Sequence, residues 1–443
     1  MKVAITGGGE VAYQIARELD ETLDIIVFEE DPDSAARFDK LDVQVVRGSP
    51  TNAEILHGVE LEPGDHFVAC GESDEENIIA CLAAKQACDV RTTCFVHKEE
   101  HYQSFARAPG RGTLLDIDRL ISPPNLLAEE IARIVLVPRA IDVNTFLGGR
   151  IWLQEYRIHA NSPLLGKRLA GLGFPENMLA VAVAQGEDFH VPRGNTVFQV
   201  EDKITFMGTQ RALRALEQRF FKDVVEKVKF VTIVGGGEVG LAVARRLEQE
   251  EDLELKLIES SQERCEFLAS QLKSTLVLNG DGTDLELLEV EQIYRSDVLV
   301  SVTADDETNL LTSLLGRETE IPKIITRVDK PANIYLFESV GIDVPLNPRG
   351  TAIRTVLDSL HGTQIPLLAT IEQGRGSVME LTVPPDFPPT LVRALPEIDG
   401  VIIGAVVRDY ATFVPRGDDE IRPFDRLLVF STEEASETVR NFF

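Results

Sequence analysis

Residues 2–12 read KVAITGGGEVA, and residues 230–240 read FVTIVGGGEVG. Each stretch is a short β-type apolar run, a glycine triplet, and the start of a helical pattern. Gly7, Gly9 and Ala12 stand where Gly235, Gly237 and Gly240 stand 228 residues later. A G-x-G-x-x-G/A spacing between strand and helix is the dinucleotide-binding fingerprint. The first glycine makes a tight turn, the second lets the backbone approach a pyrophosphate, and the third lets helix and strand pack closely. Phosphates then lie at the positive end of the helix. The binding candidates on these loops are Gly7, Gly8, Gly9, Glu10, Val11 and Ala12, and Gly235, Gly236, Gly237, Glu238, Val239 and Gly240.

Working outward, further landmarks recur in the same order. The Val-Pro-Arg-Gly run at 191–194 returns at 414–417, and Pro123 returns as Pro348, offsets of 223 and 225 residues. The chain therefore reads as two copies of a unit of about 220 residues, too long for a solenoid repeat. In each copy the first part alternates continuous apolar runs with helical segments. The runs fall at 3–6, 24–28, 43–46, 67–70 and 93–96, then at 231–234, 254–258, 276–278, 298–302 and 323–327. Unbroken apolar runs suit strands buried on both faces of a parallel sheet. Helical patterns follow at 11–19, 125–135 and 239–247. The second part is smaller and turn-rich, with β-type stretches at 151–158, 179–183, 203–207, 377–383, 401–407 and 426–430.

The expected fold class is thus α/β: two tandem Rossmann-like doubly wound parallel-sheet domains, each followed by a small α+β C-terminal module. The expected domains are 1–120, 140–218, 228–346 and 365–443. Candidate linkers are 137–142, 218–226 and 361–366.

Each second strand ends in an acid, Glu29 and Glu259, 22 and 24 residues after its first glycine. A carboxylate there accepts ribose hydroxyls and repels a 2′-phosphate. This favours NAD(H) or an adenosine nucleotide over NADP(H). The copies differ further on. Copy two has GDGTD at 280–284, including Asp281, and Thr303 and Ala304 leading to Asn309. Copy one has GSPTN at 48–52, and Gly71 and Glu72 leading to Asn77. Copy two ends its fifth strand with Arg327, which can pair with phosphates or form a surface ion pair. Copy one has Phe95 there, which can do neither.

Composition excludes several classes. Among 443 residues, 73 Asp and Glu outweigh 44 Lys and Arg, for a net charge of −29. Nucleic-acid binding and adsorption to an anionic membrane both need clustered cations. The sequence holds no apolar run of membrane-spanning length and no secretory leader pattern, so the expected compartment is the cytoplasm. The Cys gaps in copy one (70, 81, 88 and 94) are wider than a zinc site requires, and Cys70 and Cys94 fall on buried runs. No metal ligand set and no catalytic residues emerge: there is no nucleophile triad, metalloprotease helix or P-loop lysine. The Val-Pro-Arg-Gly runs read as turns, with Arg193 and Arg416 as candidates for a ligand or subunit contact.

Taken together, the paired glycine loops, the GDGTD turn, the run from Thr303 to Asn309 and the Arg327-Val328 pair resemble the TrkA family. These are the peripheral regulatory subunits of Trk potassium uptake systems, built on tandem regulator-of-potassium-conductance domains. The resemblance implies a regulator rather than an enzyme. It also implies a ring of copies, a homotetramer, on the cytoplasmic side of a membrane potassium-translocating subunit of TrkH or TrkG type. NAD(H), or ADP and ATP, would bind in the Rossmann clefts and bias that ring. Ala12, Ser49, Gly71 and Phe95 depart from the family pattern, which points to a weaker copy-one site. Some relatives place an arginine in the glycine loop; Glu10 and Glu238 stand there in this chain and should disfavour a triphosphate by like-charge repulsion. The competing readings are an NAD-dependent oxidoreductase with duplicated Rossmann domains and an assembly scaffold with vestigial clefts.

Overall fold

Strands Lys2–Thr6, Asp24–Phe28, Val43–Val46, His66–Ala69, Arg91–Phe95 and Arg119–Ile121 form one parallel sheet. Its spatial order is third, second, first, fourth, fifth, sixth. Copy two repeats that order with Phe230–Val234, Glu254–Glu259, Leu276–Asn279, Val298–Ser301, Lys323–Arg327 and Val344–Leu346. A computed structural model describes the chain except residues 20–22, 107–114, 187, 221–226, 361–366, 410 and 441–443. The expected linkers at 218–226 and 361–366 lie largely or wholly outside the described residues.

The central strands are buried on both faces because helices cover both sides, as the continuous apolar runs demand. The two sixth strands fell outside the expected runs. Each has three residues, too few for a periodic signal, and is defined by pairing with the fifth strand. Helix starts are marked by caps. Ser73 caps Asp74–Cys88, Asp305 caps Asp306–Glu318 and Ser261 caps Gln262–Gln271, each accepting a first-turn N–H.

The four modules group like with like. One compact unit comprises Met1–Ala132 and Lys229–Gly362; the other comprises Arg133–Val228 and Thr363–Phe443. In the first unit, helix Pro348–Leu360, which follows copy two's sheet, packs on copy one. Its Ala352, Ile353, Val356 and Leu360 join a buried cluster with Val3, Ile5, Ile15, Leu19 and Ile25. Burying each such aliphatic side chain contributes about 1.5–3 kcal/mol for the larger ones.

In the second unit each small module is a five-stranded antiparallel sheet with a short C-terminal helix, Gln210–Phe220 or Ser436–Arg440. The two sheets share a core in which Ile151, Leu153 and Val181 meet Val378, Leu428 and Phe430. Residues 137–142, expected as a linker, run into a strand instead. Ala140–Phe146 is the sheet's edge, with Ala140, Val143 and Phe146 buried. A register shift between Ala140 and Asp142 breaks the two-residue alternation that would have betrayed it. The Val-Pro-Arg-Gly turns face each other's modules. Arg193 pairs with Glu397 and Asp399 at 3.1 and 3.2 Å, and Arg416 with Glu176 at 2.9 Å. Among the described residues no helix is long and apolar enough to cross a membrane.

Candidate functional site

In this strand order the connections reverse direction between the first and fourth strands, and ligands of such sheets lie at that switch point. Both glycine loops sit there. Gly7 and Gly235 adopt φ of 94° and 104°, a left-handed backbone that glycine enters freely. A Cβ on Gly235 would stand 2.8 Å from the Thr303 amide nitrogen, because the loop leans on the end of the fourth strand. A Cβ on Gly240 would stand 1.9 Å from the Gly235 carbonyl oxygen, so the third glycine lets the helix lie against the loop. Copy one places the buried Ala12 there. Gly237, the residue capping helix Glu238–Leu247, has no atom within 4 Å of a built Cβ. That open space at a helix N-terminus suits a phosphate.

The middle glycine of each triplet has its own reason. A Cβ on Gly8 would fall 2.5 Å from Glu29 Oε2, and one on Gly236 would fall 3.0 Å from Glu259 Oε2. The strand-end acid thus lies against the loop. The Gly236 N–H donates to Glu259 Oε2 at 2.8 Å, and the Ser261 N–H donates to Oε1 at 2.8 Å.

A cleft of about 860 Å³ opens over copy two's loop, within the usual range of about 300–1,000 Å³ for small-molecule sites. Of the expected residues, Gly235, Gly237, Glu238, Val239, Glu259, Asp281, Thr303, Ala304 and Arg327 line it. Gly236 and Gly240 support the loop from behind. Asn309 is fully buried and stitches strands together: its amide accepts from the Thr303 N–H and donates to the Thr303 and Arg327 carbonyls. Asn77 makes the equivalent bonds to Gly71 and Phe95 in copy one. Of the copy-one candidates, Val11 lines the copy-two cleft, whereas Gly7, Gly8, Gly9, Glu10, Ala12, Glu29, Gly71 and Glu72 belong to copy one's own loop region.

Ionic pairing within the site was not legible beforehand. Arg327 forks onto Asp329 at 2.7 and 2.8 Å, so its charge is already matched. The loop acid Glu238 is paired with Arg264 at 3.0 Å, and Arg264 Nε donates to the Gly236 carbonyl at 2.7 Å. Glu10 meets Arg37 in the same way, and Arg37 donates to the Gly8 carbonyl at 3.2 Å. Burial opposes ionisation of Glu10, but hydrogen bonds from Gln14 and Arg37 outweigh it and hold its pKa below the usual value. The two arginines occupy different positions: Arg264 lies in helix Gln262–Gln271, three residues past its cap Ser261, whereas Arg37 lies in the 3-10 helix Ala36–Lys40 that follows the Asp31-capped turn Pro32–Ala35. Each reaches the same two atoms from a different helical turn.

Sequence reasoning about one domain also missed what the other copy adds. Val11, His97, Pro123 and Pro124 of copy one line the copy-two cleft. His97 is fixed by Asp74, a buried acid accepting His97 Nδ1, His101 Nδ1 and the His97 and Lys98 N–H groups at 2.8–3.0 Å. Burial raises the Asp74 pKa, but these donors overcome it and hold the carboxylate well below its ordinary value. Copy one also touches the loop directly: the Glu99 N–H donates to Glu238 Oε2 at 3.1 Å. Buried Cys70, Cys81 and Cys94 are free thiols, and among the described residues no cluster could hold a metal ion.

TrkA-N domain models match residues 3–123 and 231–348, and TrkA-C domain models match 153–220 and 378–443. The chain is 35% identical over 453 aligned positions to "Trk system potassium uptake protein TrkA homolog 1" of Methanosarcina mazei, covering all of both chains. It is 34% identical over 443 positions to the TrkA homolog of Archaeoglobus fulgidus, again end to end. A solved structure described as "GsuK channel bound to NAD" has the same fold, with a TM-score of 0.63 at 19% identity, over 99% of this chain and 78% of that one. Two glycine-loop domains and two small modules, matched in order along the whole length, leave one assignment: the chain belongs to the TrkA family.

Proposed function

We propose that this chain is a nucleotide-responsive regulatory subunit of a potassium uptake system, and that copy two's cleft binds NAD(H) in preference to ADP or ATP. The observation carrying this reading is the composite cleft. Its glycine loop and strand-end acid come from copy two, while His97, Pro123 and Pro124 come from copy one. A ligand there touches both copies, so its affinity depends on how they are arranged. Only such a difference in affinity between two states lets a ligand shift their balance. The open space at Gly237 fits a pyrophosphate and Glu259 fits a ribose diol. The names of the relatives supply the potassium context, and GsuK, carrying NAD, supports the choice of ligand.

In this reading the partner is a membrane potassium-translocating subunit of TrkH or TrkG type, contacted from the cytoplasm by a homotetrameric ring of these chains. The chain acts by binding, not by catalysis. Calorimetry with NADH, NAD, ADP and ATP, followed by potassium flux through the reconstituted partner, tests it. NADH binding that alters flux is the expected result. Flux indifferent to all four nucleotides overturns it, and reduction of NAD with a small substrate favours the oxidoreductase reading instead.

A further inference from the structure

Asp74 of copy one has a counterpart in Asp306 of copy two, but the two acids hold different side chains. Asp306 accepts the Asp329 and Lys330 N–H groups at 2.7 and 3.3 Å, and the Asn333 side-chain amide at 3.1 Å. Asp74 accepts the His97 and Lys98 N–H groups at 2.8 and 3.0 Å. Asp329 and Asn333 lie 23 and 27 residues past Asp306. At the same spacings past Asp74 stand His97 and His101, whose Nδ1 atoms meet its carboxyl at 3.0 and 2.9 Å. In copy two a carboxylate tethers this loop with no imidazole at all. Tethering alone therefore does not account for two histidines in copy one.

The two rings have different surroundings. His101 leans on the Phe105 ring, with centroids 6.1 Å apart. His97 is the more open, its side chain 43% exposed against 22% for His101, and it lines the copy-two cleft. Asp74 occupies its Nδ1, so a polar contact with a molecule in the cleft falls to Nε2. Among the described residues no acid other than Asp74 makes an ion pair with either ring. Beside His97 in the chain, Lys98 pairs with Glu75 at 2.8 Å. In the cleft, Glu238 is held by Arg264 and Arg327 by Asp329, while Glu259, Asp281, Glu307 and Arg349 complete the charged lining. One carboxylate balances one imidazolium. Asp74 touches two imidazoles, so a second proton on the pair is best placed when another anion arrives beside His97.

We propose, on the reading that this cleft holds a nucleotide, that His97 of copy one contacts the ligand of copy two and takes up a proton as the ligand binds. Its Nε2–H donates to a phosphate oxygen, a charge-assisted bond, while Asp74 supports the imidazolium from the other side. The proton comes from solvent and returns there when the nucleotide leaves. The nucleotide binds the protonated ring more tightly, so affinity falls as pH rises through the range where imidazoles lose their protons, about pH 5–8.

NADH is the suitable probe, because its pyrophosphate has no terminal phosphate of the kind that titrates near about pH 6. Calorimetry of the full chain in buffers of different ionisation enthalpy counts the protons taken up. The wild type should take up a fraction of a proton per NADH near neutral pH, and its affinity should fall by up to about tenfold per pH unit. His97→Gln supplies an uncharged amide, and His97→Asn keeps a donor for Asp74 while removing Nε2. Both should bind NADH without that uptake and with little dependence on pH. Failure of the wild type to bind NADH overturns the nucleotide reading and this proposal together. Binding without proton uptake, or uptake that survives in either folded variant, overturns this proposal alone.

Discussion

Arg264 meets Glu238 at 3.0 Å beneath copy two's glycine loop, while its Nε holds the Gly236 carbonyl. One arginine thus fixes the loop's shape and cancels a carboxylate that would otherwise face incoming phosphates. Arg264→Ala should weaken binding of NADH by about tenfold, the scale of one lost charge-assisted contact plus one exposed like charge. Glu238→Gln should instead improve ATP relative to NADH. Calorimetric titration of both variants checks the pair of outcomes; equal effects on all nucleotides would place Glu238 away from the phosphates.

Gly237→Asp separates site from scaffold. A built Cβ there meets nothing within 4 Å, so the fold should accept the side chain with little change in Tm. Its carboxylate would occupy the open space at the helix start, and nucleotide affinity should fall by at least about tenfold. Gly240→Ala should behave oppositely in its origin. Its Cβ would collide with the Gly235 carbonyl, and the strain should cost about 1–3 kcal/mol before any ligand is added. Thermal melts with and without NADH distinguish the two.

The buried Asp74 should make copy one acid-sensitive. Its folded pKa is depressed, so its contribution is fully present above the ordinary carboxyl value and disappears as pH falls through the lower folded one. Asp74→Asn should destabilise the chain by about 1–3 kcal/mol at neutral pH, the scale of leaving buried donors poorly matched. Denaturant titrations should show that gap narrowing below about pH 4, where Asp74 of the unfolded chain gains a proton that the folded carboxylate still refuses.

At the small modules, the reciprocal ion pairs of Arg193 and Arg416 are well exposed and should matter little. A double-mutant cycle on Arg416 and Glu176 should return about 0–1 kcal/mol. Phe430→Ala, which removes a fully buried ring from the shared core, should cost about 3–5 kcal/mol. Urea unfolding of each variant provides both numbers.

The local chemistry of the fold was readable from residues. Strand–glycine–helix boundaries, both parallel sheets and the strand-end acids Glu29 and Glu259 follow from short-range patterns. What escaped was whatever depends on distance along the chain. The grouping of like modules leaves no local mark, because repeat offsets reveal duplication and not which copies pack together. Arg37 and Arg264 escaped because they perform one task from different turns of their helices, so aligning the copies does not superimpose them. Asn309 was read as a ligand contact because it follows the fourth strand; burial and its bonds to the Thr303 and Arg327 carbonyls assign it to the sheet. His97 and Pro123 reach a cleft whose glycine loop lies more than a hundred residues later.

Helix Pro348–Leu360 supplies part of the first copy's core, and this imposes an order on biosynthesis. During translation the N-terminal sheet emerges long before residues 352–360 exist. Until they leave the ribosome, Ile15, Leu19 and their neighbours lack the helix that covers them. The first copy must therefore wait, partly open and exposed to chaperones or to other nascent chains, until the second is nearly complete.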